Sequence, residues 1–125
     1  MIKNTIPSPE EYEKADRDMD KLFDGLDEVA ALFKRRFSAV PTFNQFSILP
    51  QMDVDFRAYI FLNTDADIIE ANEAGLVTEM RAFVIELLKQ ARPDLGSKFS
   101  VDFETDSFEN IKKNYDGNYS FRLRG

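Results

Sequence analysis

One segment of this chain constrains its fold more than any other: residues 53–62 alternate between two kinds of side chain, as a β-strand does. The first face is apolar, and consists of Val54, Phe56, Ala58, Ile60 and Leu62. The second face begins charged and ends aromatic, and consists of Asp53, Asp55, Arg57, Tyr59 and Phe61. We expect such a strand inside a sheet, with its second face partly covered or reserved for a partner.

Two segments have the periodicity of amphipathic helices. The first begins at Ser8, which is followed by Pro9 at the first helical position and by Glu11 three residues after the cap. Its apolar or small residues recur with a period of about 3.5; they are Tyr12, Ala15, Met19, Leu22, Leu26, Val29 and Phe33. This seam favours either a helix that faces the core or a helix that pairs with another chain, and Gly25 allows a bend within it.

The second helical segment is predicted in two pieces. Thr64 or Asp65 caps a short helix that Gly75 ends or bends. A longer helix follows from Leu76 to Ala91, because apolar residues recur there at helical spacing.

The remaining strands are predicted at residues 43–49, where Pro50 stops the strand, at 99–104 and at 119–124. Residues 106–115 fit either a short helix capped by Asp106 or Ser107, followed by a tight turn, or one arm of a hairpin across Asp116-Gly117; the helix is favoured. The predicted fold is α+β, with an antiparallel four-stranded sheet and two main helices on one face, in a single domain over residues 1–125. Its core is predicted to contain Phe56, Ile60, Phe83, Leu87, Val101 and Phe121.

The composition argues against catalysis. The chain has no histidine and no cysteine, so it lacks the commonest residues for acid–base, nucleophilic and transition-metal chemistry. Its five glycines are too far apart for a phosphate-binding loop. The Asp65-Ala66-Asp67 run lacks the glycine and the final glutamate of a calcium loop. We therefore expect no enzymatic activity, no cofactor and no metal site.

The charge favours a protein partner. Residues 38–91 hold 3 basic and 8 acidic groups, a net charge of 3 − 8 = −5 out of −7 for the whole chain. Such a surface repels nucleic acid and suits a basic protein, although solubility alone also explains it. No apolar run is long enough to cross a membrane and the N-terminal residues do not form a secretory signal, so a cytoplasmic location is predicted.

The segments FRAYIFLNTDADI and ENIKKNYDGNYSFRLR, together with size, charge and helix–sheet layout, give a resemblance to bacterial immunity proteins of polymorphic or contact-dependent toxin systems. The resemblance implies a cytoplasmic inhibitor that binds one cognate toxin, for which a basic nuclease is the expected example. The predicted partner-binding residues are Asp53, Asp55, Tyr59, Phe61, Asp65, Asp67, Glu70 and Glu73. The alternative is a self-associating scaffold or adaptor, a homodimer formed through the seam of the first helix.

Overall fold

The computed structural model describes residues 23–52 and 54–124. The predicted helix start at Ser8 lies outside this described part, as do the first four residues of the seam. The described elements are, in chain order, α1 (Leu26–Phe37), β1 (Phe43–Met52), β2 (Asp55–Leu62), α2 (Asp65–Glu73), α3 (Leu76–Ala91), a 3-10 turn (Pro93–Leu95), β3 (Ser100–Ser107), α4 (Phe108–Asn114) and α5 (Tyr119–Arg124).

The sheet of the described residues has three strands, with β2 between β1 and β3. β1 runs antiparallel to β2 and places Phe46 opposite Ile60, whereas β3 runs parallel to β2 and places Thr105 opposite Ile60. The predicted antiparallel four-stranded sheet is therefore wrong, and the fold is α+β with a mixed three-stranded sheet. The reason is the connection through α2 and α3, which returns the chain to the end of the sheet where β2 began.

The first face of the sheet packs against α1 and α3 and forms the main core. As the alternation predicts, Phe56 and Ile60 lie on this face, and Leu87 meets them from α3. The predicted core residues Phe83 and Val101 are only partly buried, at its margin. From α1 and α3 the main core receives five further completely buried apolar side chains: Val29, Phe33, Met80, Val84 and Leu88.

The described part of the predicted seam is used within the chain. Leu26, Val29 and Phe33 are buried in the main core, so this part of α1 faces the sheet. At Gly25, where the sequence allows a bend, the backbone is in the left-handed region with a φ of 79°. Gly25 is also the N-cap of α1. A Cβ at this position would lie 3.2 Å from the Cβ of Ala91, so glycine satisfies both the backbone angle and the close approach of α3.

The second face of the sheet is covered as well, which corrects the prediction that helices pack on one face only. Tyr59 and Phe61 point to this side, where Ile111 of α4 joins them in a small buried cluster. Five partly buried residues close the cluster: Leu49, Phe108, Tyr115, Tyr119 and Leu123. The aromatic end of β2 is therefore covered by the chain's own C-terminal segment.

The predicted last strand is instead the helix α5. Tyr119 and Leu123 are four residues apart, so one helical face brings both to the second cluster. Phe121 points away and is 48% exposed, so its predicted place in the core is wrong. Asn118 lies directly before α5, and its side-chain oxygen accepts a hydrogen bond from the backbone N–H of Ser120 at 2.9 Å.

The predicted stop at Pro50 is also wrong, because β1 continues to Met52. β1 is an edge strand, and an edge strand accommodates a proline because one side of its backbone needs no partner. The register shifts between Pro50 and Met52, next to the proline. By contrast, the favoured helix at residues 106–113 is confirmed as α4, and Ser107 is its N-cap.

Candidate functional site: the acidic face of helix α2

Helix α2 begins where the central strand ends. The side-chain oxygen of Thr64 accepts a hydrogen bond from the backbone N–H of Asp67 at 3.1 Å, and Asp67 accepts one from the N–H of Thr64 at 3.1 Å. This reciprocal capping box fixes the first turn, and it confirms the predicted cap at Thr64. The helix ends before Gly75, which has a φ of 78°.

The N-terminus of α2 is also tied to that of α4. The hydroxyl of Ser107, which is completely buried, donates a hydrogen bond to Asp65 at 2.5 Å. In return, the backbone N–H of Asp65 donates to the carboxylate of Glu109 at 3.0 Å. These bonds hold α2 against the ends of the two parallel strands, and they bring a further carboxylate, Glu109, beside the acidic helix.

The carboxylates of α2 lie together, and none of them is paired with a cationic side chain of the described residues. Asp65, Glu70 and Glu73 are exposed, and Asp67 is half-buried. Within residues 23–52 and 54–124, no lysine or arginine forms an ion pair with any of these four. Glu79 on α3 is different, since Arg36 lies 3.3 Å from it. The negative charge of α2 is therefore not compensated by the described part of the chain.

An exposed apolar side chain lies in the middle of this acidic surface. Ile69 is 62% exposed, the largest exposed fraction among the large apolar side chains of the described residues. It lies four residues after Asp65 and four before Glu73, so all three share one side of the helix. The preceding Ile68 packs against the main core instead. We call the surface of α2 formed by Ile69 and the four carboxylates, Asp65, Asp67, Glu70 and Glu73, the acidic face.

A recess of about 210 Å³ lies next to the acidic face. Its walls are apolar at Ala71, Ala74 and Leu76. Two carboxylates also line it, those of Asp67 and Glu70. Thr42, from the turn before β1, completes the lining. The recess thus combines apolar surface with negative charge at one place.

The other predicted binding residues lie elsewhere. Asp53 lies outside the described residues, and Asp55 accepts a hydrogen bond from the hydroxyl of Ser100 at 2.6 Å. Tyr59 and Phe61 are buried under α4 and α5, with exposed fractions of 3% and 0%. Their rings are therefore not accessible to a partner in this conformation. The structure brings the four α2 carboxylates together and separates them from these residues.

The second sheet face carries a network of paired charges centred on Arg122. Arg122 donates hydrogen bonds to Asp106 at 2.6 Å and to Glu104 at 3.1 Å, and its guanidinium lies 5.7 Å from the centre of the Tyr59 ring. Burial disfavours the charged form of Arg122, but the hydrogen bonds to Asp106 and Glu104 outweigh it and hold its pKa above the usual value. Tyr119 donates a hydrogen bond to Asn44 on β1, and burial raises the pKa of this tyrosine. Every charge in this network is paired within the chain, so the network fastens α5 to the sheet.

Residues 23–52 and 54–124 contain no cluster of three or more acidic side chains with the geometry of a metal site. No helix among them is both long enough and apolar enough to cross a membrane.

Comparisons with protein families, with curated proteins and with solved structures find no match to this chain.

Proposed function

We propose that this chain is a non-catalytic protein-binding module that captures a basic protein through the acidic face of α2. The observation that carries the proposal is Ile69, which is 62% exposed among carboxylates that have no cationic partner in the described residues. An exposed apolar side chain within a charged ring is the arrangement from which binding hot spots are built. The resemblance to immunity proteins makes a bacterial toxin domain the proposed partner, neutralised by stoichiometric binding in the cytoplasm.

The chemistry of this face selects the class of partner. Uncompensated carboxylates attract a basic surface over a distance and repel the phosphates of nucleic acid. Burying Ile69 against an apolar pocket would then slow dissociation. The face is also rigidly supported, since Ala71 anchors α2 in the main core and the capping box fixes its start. A preorganised surface loses little conformational entropy on binding.

The first experiment tests electrostatic capture. A partner is isolated on the immobilised full chain, identified, purified, and then used for association kinetics at low and high salt. The triple variant D67N/E70Q/E73Q should associate roughly tenfold more slowly at low salt, and the difference should shrink as salt screens the charges. The matched control is E28Q/E86Q/D102N, which removes three exposed carboxylates from α1, α3 and β3. Equal slowing by both triple variants would overturn the proposed face.

A second pair of variants tests the apolar contact. Ile69→Ser should raise the dissociation rate about five- to thirtyfold, because loss of a hot-spot side chain has an effect of this size. Phe121→Ser is the matched control, since Phe121 is another large exposed side chain but lies on α5. An unchanged dissociation rate for Ile69→Ser would exclude α2 as the binding face. A stable dimer of the isolated chain by light scattering, abolished by Ile69→Ser, would mean that this face serves self-association instead.

A further inference from the structure

We propose that the recess beside the acidic face accepts one long cationic side chain, a lysine or an arginine, of the protein partner. This inference rests on the proposed function, and it names the group that the partner inserts. The recess differs from the rest of the acidic face because it offers apolar walls and negative charge together.

The lining matches the two parts of such a side chain. The aliphatic stem of a lysine or an arginine would pack on Ala71, Ala74 and Leu76. The charged head would then lie between Asp67 and Glu70. Asp67 accepts the Thr64 N–H through Oδ2, which leaves Oδ1 available for a partner. Glu70 is exposed and forms neither an ion pair nor a side-chain hydrogen bond with the described residues.

Other occupants fit the recess less well. A purely apolar group would cover two carboxylates without compensating their charge, which is unfavourable. An anion would be repelled by the same carboxylates. A calcium ion takes six to eight oxygen ligands, and three of the six lining residues have apolar side chains. A long side chain with a positive end would pack on the apolar walls and compensate the charge of the two carboxylates.

The test uses small probes of that side chain. The full chain is titrated with n-butylguanidinium and n-butylammonium, and the uncharged n-butylurea is the control, while backbone amide signals are followed by NMR. The cationic probes should shift the amides of Ala71 and Ala74 saturably, and n-butylurea should bind more weakly. Absence of saturable shifts with both cationic probes would overturn the inference.

Two matched pairs of variants make the test specific. Glu70→Gln should weaken binding of the cationic probes about two- to fivefold, the effect of an exposed ion pair, whereas Glu73→Gln should change it little. Ala74→Met, at the C-cap of α2, should block the recess, whereas Ala66→Met, on the exposed side of α2, should leave binding intact. Equal effects within either pair would overturn the recess as the site.

The partner separates failure of this inference from failure of the proposed function. With the isolated protein partner, Glu70→Gln should raise the dissociation rate more than Glu73→Gln does. Glu70→Gln and Glu73→Gln could raise the dissociation rate equally while D67N/E70Q/E73Q still slows association. In that case the acidic face binds the partner, but the recess holds no side chain of it. If the triple variant behaves as the wild type, the proposed function itself fails.

Discussion

The two faces of the sheet are closed by very different means. α1 and α3 cover the first face with a continuous set of apolar side chains, in which Phe33 stacks on Phe46 with ring centres 4.0 Å apart. α4 and α5 cover the second face with only Ile111 fully buried, and the margin is closed by hydrogen bonds and ion pairs. The first closure is stabilised mainly by apolar burial, and the second depends on specific polar partners. The second face should therefore be the more adaptable of the two and the more sensitive to loss of a single polar group.

Two phenylalanines of equal burial test this difference in apolar packing. Phe33 and Phe61 both have no exposed surface, one on each side of the sheet. Phe33→Ala should lower the free energy of unfolding by about 3–5 kcal/mol, because the surrounding helices cannot close the cavity. Phe61→Ala should lower the free energy of unfolding by about 3 kcal/mol, the lower end of that range, because the short helices α4 and α5 can move to fill part of the cavity. Urea unfolding of both variants measures this, and a larger loss for Phe61→Ala would reverse our ranking of the two faces.

The polar closure of the second face is tested through Arg122. Its side chain is 15% exposed and that of its partner Asp106 is 14% exposed, so water compensates only partly for a lost bond. Arg122→Gln should lower the free energy of unfolding by about 1–3 kcal/mol, since it removes two charge-assisted hydrogen bonds. Hydrogen exchange should show the loosening in α4 and α5 before it appears in α1 and α3.

The matched control for Arg122 is Arg124→Gln on the same helix. Arg124 is exposed, so this change should alter the free energy of unfolding by less than about 0.5 kcal/mol. If both arginine variants lose the same stability, the ion pairs of Arg122 do not fasten α5.

The smallest effect is expected for Phe121→Ser. Phe121 is 48% exposed on the outer side of α5, so the change should shift the free energy of unfolding by no more than about 0.5 kcal/mol. A chemical denaturation curve is sufficient to measure it. A loss comparable to that of Phe61→Ala would mean that residues 119–123 lie in the core, as a strand would place them.

The sequence predicted the first face better than the second for a physical reason. The helices of the first face span several turns, so their apolar spacing distinguishes them clearly from strands. Residues 119–124 are too short for that, and Tyr119, Phe121 and Leu123 alternate as in a strand. The hydrogen bond from the Ser120 N–H to the Asn118 side chain, which is typical of a helix N-terminus, is seen only in the structure. The predicted antiparallel pairing of β3 is wrong because strands pair antiparallel across short connections, whereas two helices, α2 and α3, connect β2 to β3.

The candidate site was predicted in part. The four carboxylates of α2 were named from the sequence, and their clustering follows from helical spacing. The exposure of Ile69 could not be read from the sequence, since only the rotation of α2 on the core decides whether Ile68 or Ile69 is buried. The burial of Tyr59 and Phe61 depends on α4 and α5, which the predicted four-stranded sheet did not place over them.

The three-stranded sheet also affects how this chain behaves at high concentration. In the described residues β1 and β3 are edge strands, and an edge strand can recruit a strand of another molecule and so start aggregation. Pro50 gives β1 a position with no N–H to offer an incoming strand. β3 carries Asp102, Glu104 and Asp106 at alternate positions, so an identical strand added beside it would bring like charges together. Two of these carboxylates, Glu104 and Asp106, also hold α5 through Arg122, so the groups that fasten this helix protect the sheet edge against polymerisation as well.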